Sequence, residues 1–350
     1  RRWNTSQAMT RSGLQPAEKS LNISTTITMT KQRPQSRQRT GGKAVALPNS
    51  YMEYPNRRYG MDHQWYEWSI LQDRPEISWP HNARVAIWVN VALEFFPLNQ
   101  SPEPFKAPGG MVTTYPDLRH YTLRDYGNRV GVFRVFRLLD ELGITPTVSF
   151  NSKVAERYPR LMTEVVQRDW EVIANGIDMG TIHHGGLAED TEAALIDESL
   201  TSLRELSGQP VTGWLSPARS ESMNTLDLLA ARGVEYVGDW QNDEMPYAIS
   251  TTAGRLHSMP MSHELDDQTI QLQYQQSETS FAEQVEDAMT VVYDESSESN
   301  GRMVSLVIHP WMSGQPHRIW ALRRALTKVM GYNDVWSASG SQILKAFQAG

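Results

Sequence analysis

Apolar residues along this chain fall into short unbroken runs separated by stretches with a helical repeat. Residues 84–93 (RVAIWVNVAL), 145–150, 170–174, 211–214, 234–238 and 303–308 are rich in β-branched and aromatic side chains without strict alternation. That pattern predicts strands covered on both faces, as in a parallel sheet. Between them, residues 128–142, 161–167, 189–206, 222–231, 281–293 and 319–330 space their apolar side chains as amphipathic helices do. The helix at 189–206 opens on acids that suit the positive end of its dipole and stops before Gly208, and Gly143 ends the helix at 128–142. Further strands are predicted at 255–260 and 270–274, with residues 335–336 and 342–347 closing the chain. Strands alternating with helices throughout argue for a parallel α/β fold, and their number favours a barrel over an open sheet.

The ends of the chain break this rhythm. Residues 1–45 carry Arg1, Arg2, Arg11, Lys19, Lys31, Arg33, Arg37, Arg39 and Lys43 against the acid Glu18, among Ser, Thr and Gln. This predicts a disordered basic leader, with an organelle transit peptide as one use and Met9 or Met29 as alternative starts. Residues 51–80, aromatic and irregular, are expected to wrap the body. Residues 46–350 show no internal linker and read as a single barrel domain.

Composition then removes several functions. A net charge of -7 argues against a phosphate backbone or an anionic membrane as partner. No apolar run approaches a membrane span. With no cysteine, disulfides, thiolate nucleophiles and Cys-ligated zinc are all excluded. A small-molecule substrate, a homo-oligomer and a cytoplasmic location are expected.

Chemistry is expected where strands end, because parallel α/β folds collect substrate and catalytic groups at their carboxyl ends. His309 follows the run at 303–308, Glu94 the run at 84–93, Asn175 the run at 170–174, and Asp239 the run at 234–238. Asn242 and Asp243 come shortly after, and Trp214, Trp240 and Trp311 stand at similar ends. His263, Glu264, Asp266 and Asp267 form a further polar cluster, and His183-His184 superficially suggests a metal pair in a glycine-rich loop. Each has a plainer reading as well: a structural acid or histidine, a turn at Asn175-Gly176 or at 239–243, a core tryptophan.

Taken in order, RVAIWVNVALEFF, WEVIANGIDMG, GWLSPARS, YVGDWQNDEMPY and LVIHPWMSGQPHRI resemble the polysaccharide deacetylase (NodB-homology) superfamily over residues 60–347, nearest its branch of PuuE-type allantoinases and related cyclic-amide hydrolases. The resemblance implies a distorted (β/α) barrel of seven or eight parallel strands and hydrolysis of a non-peptide amide bond. Of the family's strand-one acids only Glu94 is matched, and its last-strand histidine matches His309. Its metal-binding histidines fall on Asn175 and near Met179 or Gly180, and the arginine of its Arg-x-Pro motif falls on Leu215, with Pro217 kept. The frame is retained and most of the metal site is not, so neither metal nor cofactor is expected.

The remaining side chains still suit hydrolysis. Glu94 reads as general base, His309 as the acid that protonates a leaving nitrogen, and Asp239 or Asp243 as the group that orients His309 or bonds an amide. Asn175 and the backbone near Gly176 read as oxyanion donors, Trp214, Trp240 and Trp311 as walls for a planar ligand, and Asn242, Asp243 and Glu264 as substrate contacts. Glu94, Asn175, Asp239 and His309 should share one pocket. Two other classes stay open: a degenerate relative that only binds a ligand, and a lyase or isomerase in a biosynthetic pathway.

Overall fold

The longest apolar run becomes the spine of the sheet. A computed structural model describes residues 63–110, 116–296 and 301–349; the basic leader and the start of the aromatic segment lie outside them. The strands are β1 (Val85–Leu93), β2 (Thr147–Phe150), β3 (Glu171–Ala174), β4 (Gly213–Trp214), β5 (Tyr236–Val237), β6 (Tyr247–Ser250), β7 (Arg255–Ser258), β8 (Arg302–Ile308) and β9 (Val335–Ser337). They form one sheet in the order β6-β7-β5-β4-β3-β2-β1-β8, with β9 also pairing with β1. Every pairing is parallel except that of β6 with β7. All of β1 and β8 is buried, as non-alternating apolar runs require.

The helices are α1 (Leu118–Tyr126), α2 (Val132–Leu142), α3 (Ser152–Arg157), α4 (Pro159–Val166), α5 (Glu189–Ser207), α6 (Thr225–Ala230), α7 (Glu278–Glu295), α8 (Pro310–Ser313), α9 (Ile319–Met330) and α10 (Gly340–Ala349). Most cross over between parallel strands, and their apolar stripes join β1, β2 and β8 in the main core, where Val135, Phe136, Leu200, Phe281 and Leu326 are buried. The result is a distorted (β/α) barrel. Its curl is continued by a segment that is not strand at all. Asp266 bridges Val307 in parallel fashion, Val307 N donates to Leu265 O at 3.3 Å, and Ser262 N donates to Ser305 Oγ at 2.8 Å, so residues 262–267 lie along β8.

Several boundaries differ from the sequence pattern. Residues 270–274 alternate as a strand would, yet Thr269–Gln273 is a π-helical turn. Asp266 Oδ1 accepts from Gln268 N at 2.8 Å and Thr269 N at 3.0 Å and starts the turn there, while Leu272 and Tyr274 stay exposed. β6 was hidden because only Ile249 of its residues is buried. Helix begins at Leu118 rather than 128, capped by Asp117, whose side chain accepts from His120 N.

Between α1 and α2 the chain makes a π turn, Gly127–Gly131. The two glycines lie against the turn that follows β8. A Cβ on Gly127 would stand 2.7 Å from Trp311 Cβ, and one on Gly131 would meet the carbonyl oxygen of Pro310. Close approach of backbone to backbone, rather than any unusual φ, requires glycine here. In a free helix Gly→Ala stabilises by about 1 kcal/mol. Gly131→Ala is expected to reverse that sign and destabilise the protein by about 1–3 kcal/mol through overpacking; urea denaturation measures it, and a stabilised variant would show that the contact is slack.

Candidate active site

Parallel strands deliver their last residues to one end of the sheet, and the sequence puts polar side chains there. Glu94 follows β1, Asn151 follows β2, Asn175 follows β3, residues 215–219 follow β4 and His309 follows β8. Asn151 ties neighbouring ends together. Its Oδ1 accepts from Phe95 N at 2.8 Å and its Nδ2 donates to Asn175 O. Gly176 adopts φ 58°, and a Cβ on it would lie 2.5 Å from Pro217 Cγ, so glycine lets the β3 and β4 loops meet beside Asn175.

His309 is the centre of the arrangement. Its backbone N donates to Asp267 Oδ1 at 3.0 Å, and its Nδ1 lies 2.7 Å from the same oxygen. Ser313 Oγ donates to Asp267 Oδ2. Asp266 Oδ1 stands 3.6 Å from Nδ1, and on the other side of the ring Nε2 lies 3.6 Å from Glu94 Oε1. Burial by itself would discharge this imidazole. The negative charges of Asp266 and Glu94 and the hydrogen bonds to Asp267 and Glu94 outweigh that, and its pKa rises well above the ordinary 6.5. At neutral pH it is an imidazolium aimed at a carboxylate, the arrangement needed of a general acid beside a general base.

Glu94, Asn175 and His309 line one cavity of about 60 Å³, with Ser216, Arg219, His263 and Asp266 among the other walls. Glu94 Oε2 and both side-chain polar atoms of Asn175 are buried there without a hydrogen-bond partner. Buried groups are rarely left so, and a donor, an acceptor and a carboxylate oxygen without partners on residues that line one cavity mark a place for a polar guest. Arg219, which the sequence reading did not single out, reaches this wall from the turn after β4. Burial lowers its pKa, opposed by Asp266, Asp239 and Glu94. Burial and the neighbouring Arg219 also lower the pKa of His263, which is therefore neutral at pH 7.

Other predicted site residues lie elsewhere. Asp239, expected in the pocket and as the partner of His309, sits behind the wall: its Oδ1 accepts from Ser216 N at 2.7 Å. Burial raises its pKa and that of Glu221, the adjacent acid. Asp267 holds His309 in its stead. Trp214 is fully buried, donates to Ser216 Oγ at 2.9 Å and meets His183 edge-on, so it is core. Trp240 donates to Glu221 and packs on Trp65 and Tyr66. Asn242 and Asp243 line a separate groove of about 450 Å³ with Tyr66 and Arg74. There Asp243 pairs with Arg74, and its Oδ1 accepts from the backbone N of Glu244 and Met245, which builds a turn. Glu264 accepts from the exposed Tyr274 hydroxyl at 3.1 Å. Trp311 lies edge-on to His309 with the Arg124 guanidinium 4.8 Å over its ring, and it supports the histidine rather than lining the cavity.

The positions to which the resemblance assigns metal ligands carry a donor set that fits a metal poorly. Asn175 offers a neutral carboxamide, and Met179 packs its thioether with Phe96, Ala107 and Ile182, a poor donor set for a zinc-like ion. His183 is engaged with Glu192 at 3.0 Å, whose carboxylate also accepts from Ser222 and Thr225, while His184 accepts from Gly186 N. Asp266, Asp267 and His309 bring ligand atoms within 4.8 Å of one another. Those atoms already serve as the imidazolium clamp and the cap of the π turn.

Residues 119–237 match the polysaccharide deacetylase family. Over 301 residues the chain is 21% identical to a Schizosaccharomyces pombe protein named as a polysaccharide deacetylase, covering 77% of this chain and 92% of that one. Among solved structures, a probable polysaccharide deacetylase from Pseudomonas aeruginosa PAO1 superposes with a TM-score of 0.70 at 24% identity, over 79% of this chain and 95% of its own. A PuuE allantoinase gives a TM-score of 0.70 at 24% identity, over 79% and 94%. At this identity the structural likeness is one of fold. Among the described residues, no helix is long and apolar enough to cross a membrane.

The elevated pKa of His309 has a definite sign in stability. A raised folded value contributes stability that is fully present below the ordinary 6.5 and is lost as pH rises through the folded value. Ring-nitrogen NMR is expected to show His309 still protonated well above 6.5, and Asp267→Asn to lower its titration and flatten the alkaline loss of stability. Titration of the wild-type ring near 6.5 would refute the clamp.

Proposed function

From the NodB-type fold and the polysaccharide deacetylase match over residues 119–237, we propose that this protein is a hydrolase of carbon–nitrogen bonds other than peptide bonds. Its substrate is a small cyclic amide or N-acyl compound, cleaved without a catalytic metal. The observation that carries the reading is the alignment of Asp267, His309 and Glu94, with His309 Nε2 3.6 Å from Glu94 Oε1. The names of the deacetylase and allantoinase relatives support the reaction class, since both cleave amide-type bonds at a shared fold.

Glu94 takes a proton from water as the hydroxide adds to the carbonyl carbon. The π pair moves onto the carbonyl oxygen. When the tetrahedral intermediate collapses, the C–N bond breaks and His309 gives its Nε2 proton to the departing nitrogen. An N-acyl compound gives an acid and a free N–H product, and a cyclic amide gives one ring-opened product that carries both groups. The proton left on Glu94 passes back to His309, restoring both groups. Asp267 fixes the ring so that Nδ1 stays bonded and Nε2 faces the reaction. Asn175 suits the substrate's own amide, because one carboxamide presents a donor and an acceptor side by side. A ligand-binding relative is the second reading, favoured by the small volume of the cavity, about 60 Å³.

A panel of hydantoins, imides, lactams and N-acetyl sugars tests the proposal. On whichever compound is turned over, Glu94→Gln is expected to lower kcat by about 10²–10⁴-fold with the melting temperature kept. His309→Ala differs: it leaves Asp266, Asp267 and Glu94 buried without their cation and is expected to cost several kcal/mol of stability along with activity. Turnover unaffected by Glu94→Gln would remove the base from the mechanism. Metal analysis is expected to find no stoichiometric zinc. One tightly bound equivalent, with activity abolished by chelation and restored by zinc, would overturn the metal-free mechanism.

A further inference from the structure

The proton transfers assigned to Glu94 and His309 leave one charge unattended. The oxyanion that forms on the carbonyl oxygen needs a strong donor, and the residues at the family's metal positions cannot hold a Lewis acid. Resting on the hydrolase reading above, we infer that Arg219 is the electrophile of this site, its guanidinium receiving the oxyanion in the cavity it shares with the base and acid pair.

The turn that carries Arg219 is unusual. Ala218 and Arg219, neither of them glycine, stand in succession in the left-handed region at φ 59° and 53°. Such backbone persists where the surroundings enforce it and is concentrated at ligand sites. The surroundings here are visible. Pro217 is lodged against Gly176, Ser216 N is held by Asp239, and the Arg219 guanidinium donates to the main-chain carbonyls of Met261 and Ser262. Neutral carbonyls fix the plane of the guanidinium without cancelling its charge. Among the described residues its ion pair is a long one, with Asp266 at 4.0 Å, beyond hydrogen-bond reach, and the charges of Asp239 and Glu94 act on it from nearby. The positive charge therefore remains available to an anion in the cavity that Arg219 shares with Glu94, Asn175 and His309.

Cavity size decides what that anion is. About 60 Å³ is well under half the roughly 150 Å³ that accommodates benzene in an apolar protein cavity. A space of this size suits the reacting carbonyl and its attacking water, so the cation at this wall stands beside where the carbonyl oxygen would lie. In the step concerned, hydroxide adds to carbon, the π pair goes to oxygen beside Arg219, and the same pair re-forms the C=O bond as C–N breaks.

Calorimetric titration with methylphosphonate, a tetrahedral oxyanion, and with acetate tests the inference without any substrate. Methylphosphonate is expected to bind the wild-type protein at least about ten-fold more tightly than Arg219→Gln, with Arg219→Lys between them as the variant that keeps the charge and guards against misfolding. Affinity equal in all three proteins, with melting temperatures unchanged, would overturn the inference. On a turned-over amide, Arg219→Lys and Arg219→Gln are expected to lower kcat by about 10²–10³-fold with KM nearly constant. A raised KM at constant kcat would overturn it in favour of a clamp for a substrate carboxylate. Arg219-dependent methylphosphonate binding in a protein that turns over no amide on the panel would sink the hydrolase reading and leave the oxyanion site standing.

Discussion

The clamp of Asp267 on His309 depends on how the sheet curls. β8 would present a bare edge if the chain did not return to it, and residues 262–267 do so without forming a strand, through Val307, Ser305 and the Asp266 bridge. That contact brings two consecutive acids to the residue following β8. Asp266 turns its carboxylate onto the backbone of the π turn, and Asp267 turns its own onto both the backbone N and the ring of His309. Three carboxylates around a buried imidazole would be costly if the ring were neutral. With the proton on, one cation faces all three acids, and the site favours the form that can donate.

A second constraint acts from the helix side. Gly127 and Gly131 allow the α1–α2 junction to rest on the backbone of Pro310 and Trp311, which fixes the turn leaving His309. Arg124, one turn before the first glycine, lies over the rings of Phe96 and Trp311, and burial brings its pKa down to about 10 despite Glu94 and Asp117. Packing and charge converge on the same few residues. The loops after β1 and β8 are held by one helix, so Glu94 and His309 keep their separation.

The architecture was legible because buried parallel strands announce themselves as unbroken apolar runs, and the strand-end rule points to Glu94, Asn175 and His309, which line one cavity. What stayed hidden obeyed other rules. The alternation at 270–274 was overridden by a side-chain cap on Asp266. Asp267 stands in the sequence close to Glu264, and nothing local says which of these acids turns inward; the β8 edge settles that. Asp239 obeyed the strand-end rule and still missed the cavity, since its neighbour's N–H claimed its oxygen. Arg219 carries no such signal: the resemblance puts an arginine at Leu215, and Arg219 stands two residues beyond Pro217, in a turn whose left-handed residues no composition rule predicts.

The electrostatics of the cavity follow from which charges are already satisfied. Asp267 is bonded by His309 and Ser313, and Asp266 by two backbone N–H groups. Asp239 accepts from Ser216 N through one oxygen while the other has no partner, and burial raises its pKa. Glu94 keeps one oxygen unpartnered, and Arg219 is held mainly by neutral carbonyls. The cavity thus offers a free carboxylate oxygen, a proton on nitrogen and a lightly neutralised cation around a neutral carboxamide. A neutral amide entering it would gain most as its carbonyl oxygen became negative and its nitrogen became basic, which is complementarity to the transition state rather than to the ground state.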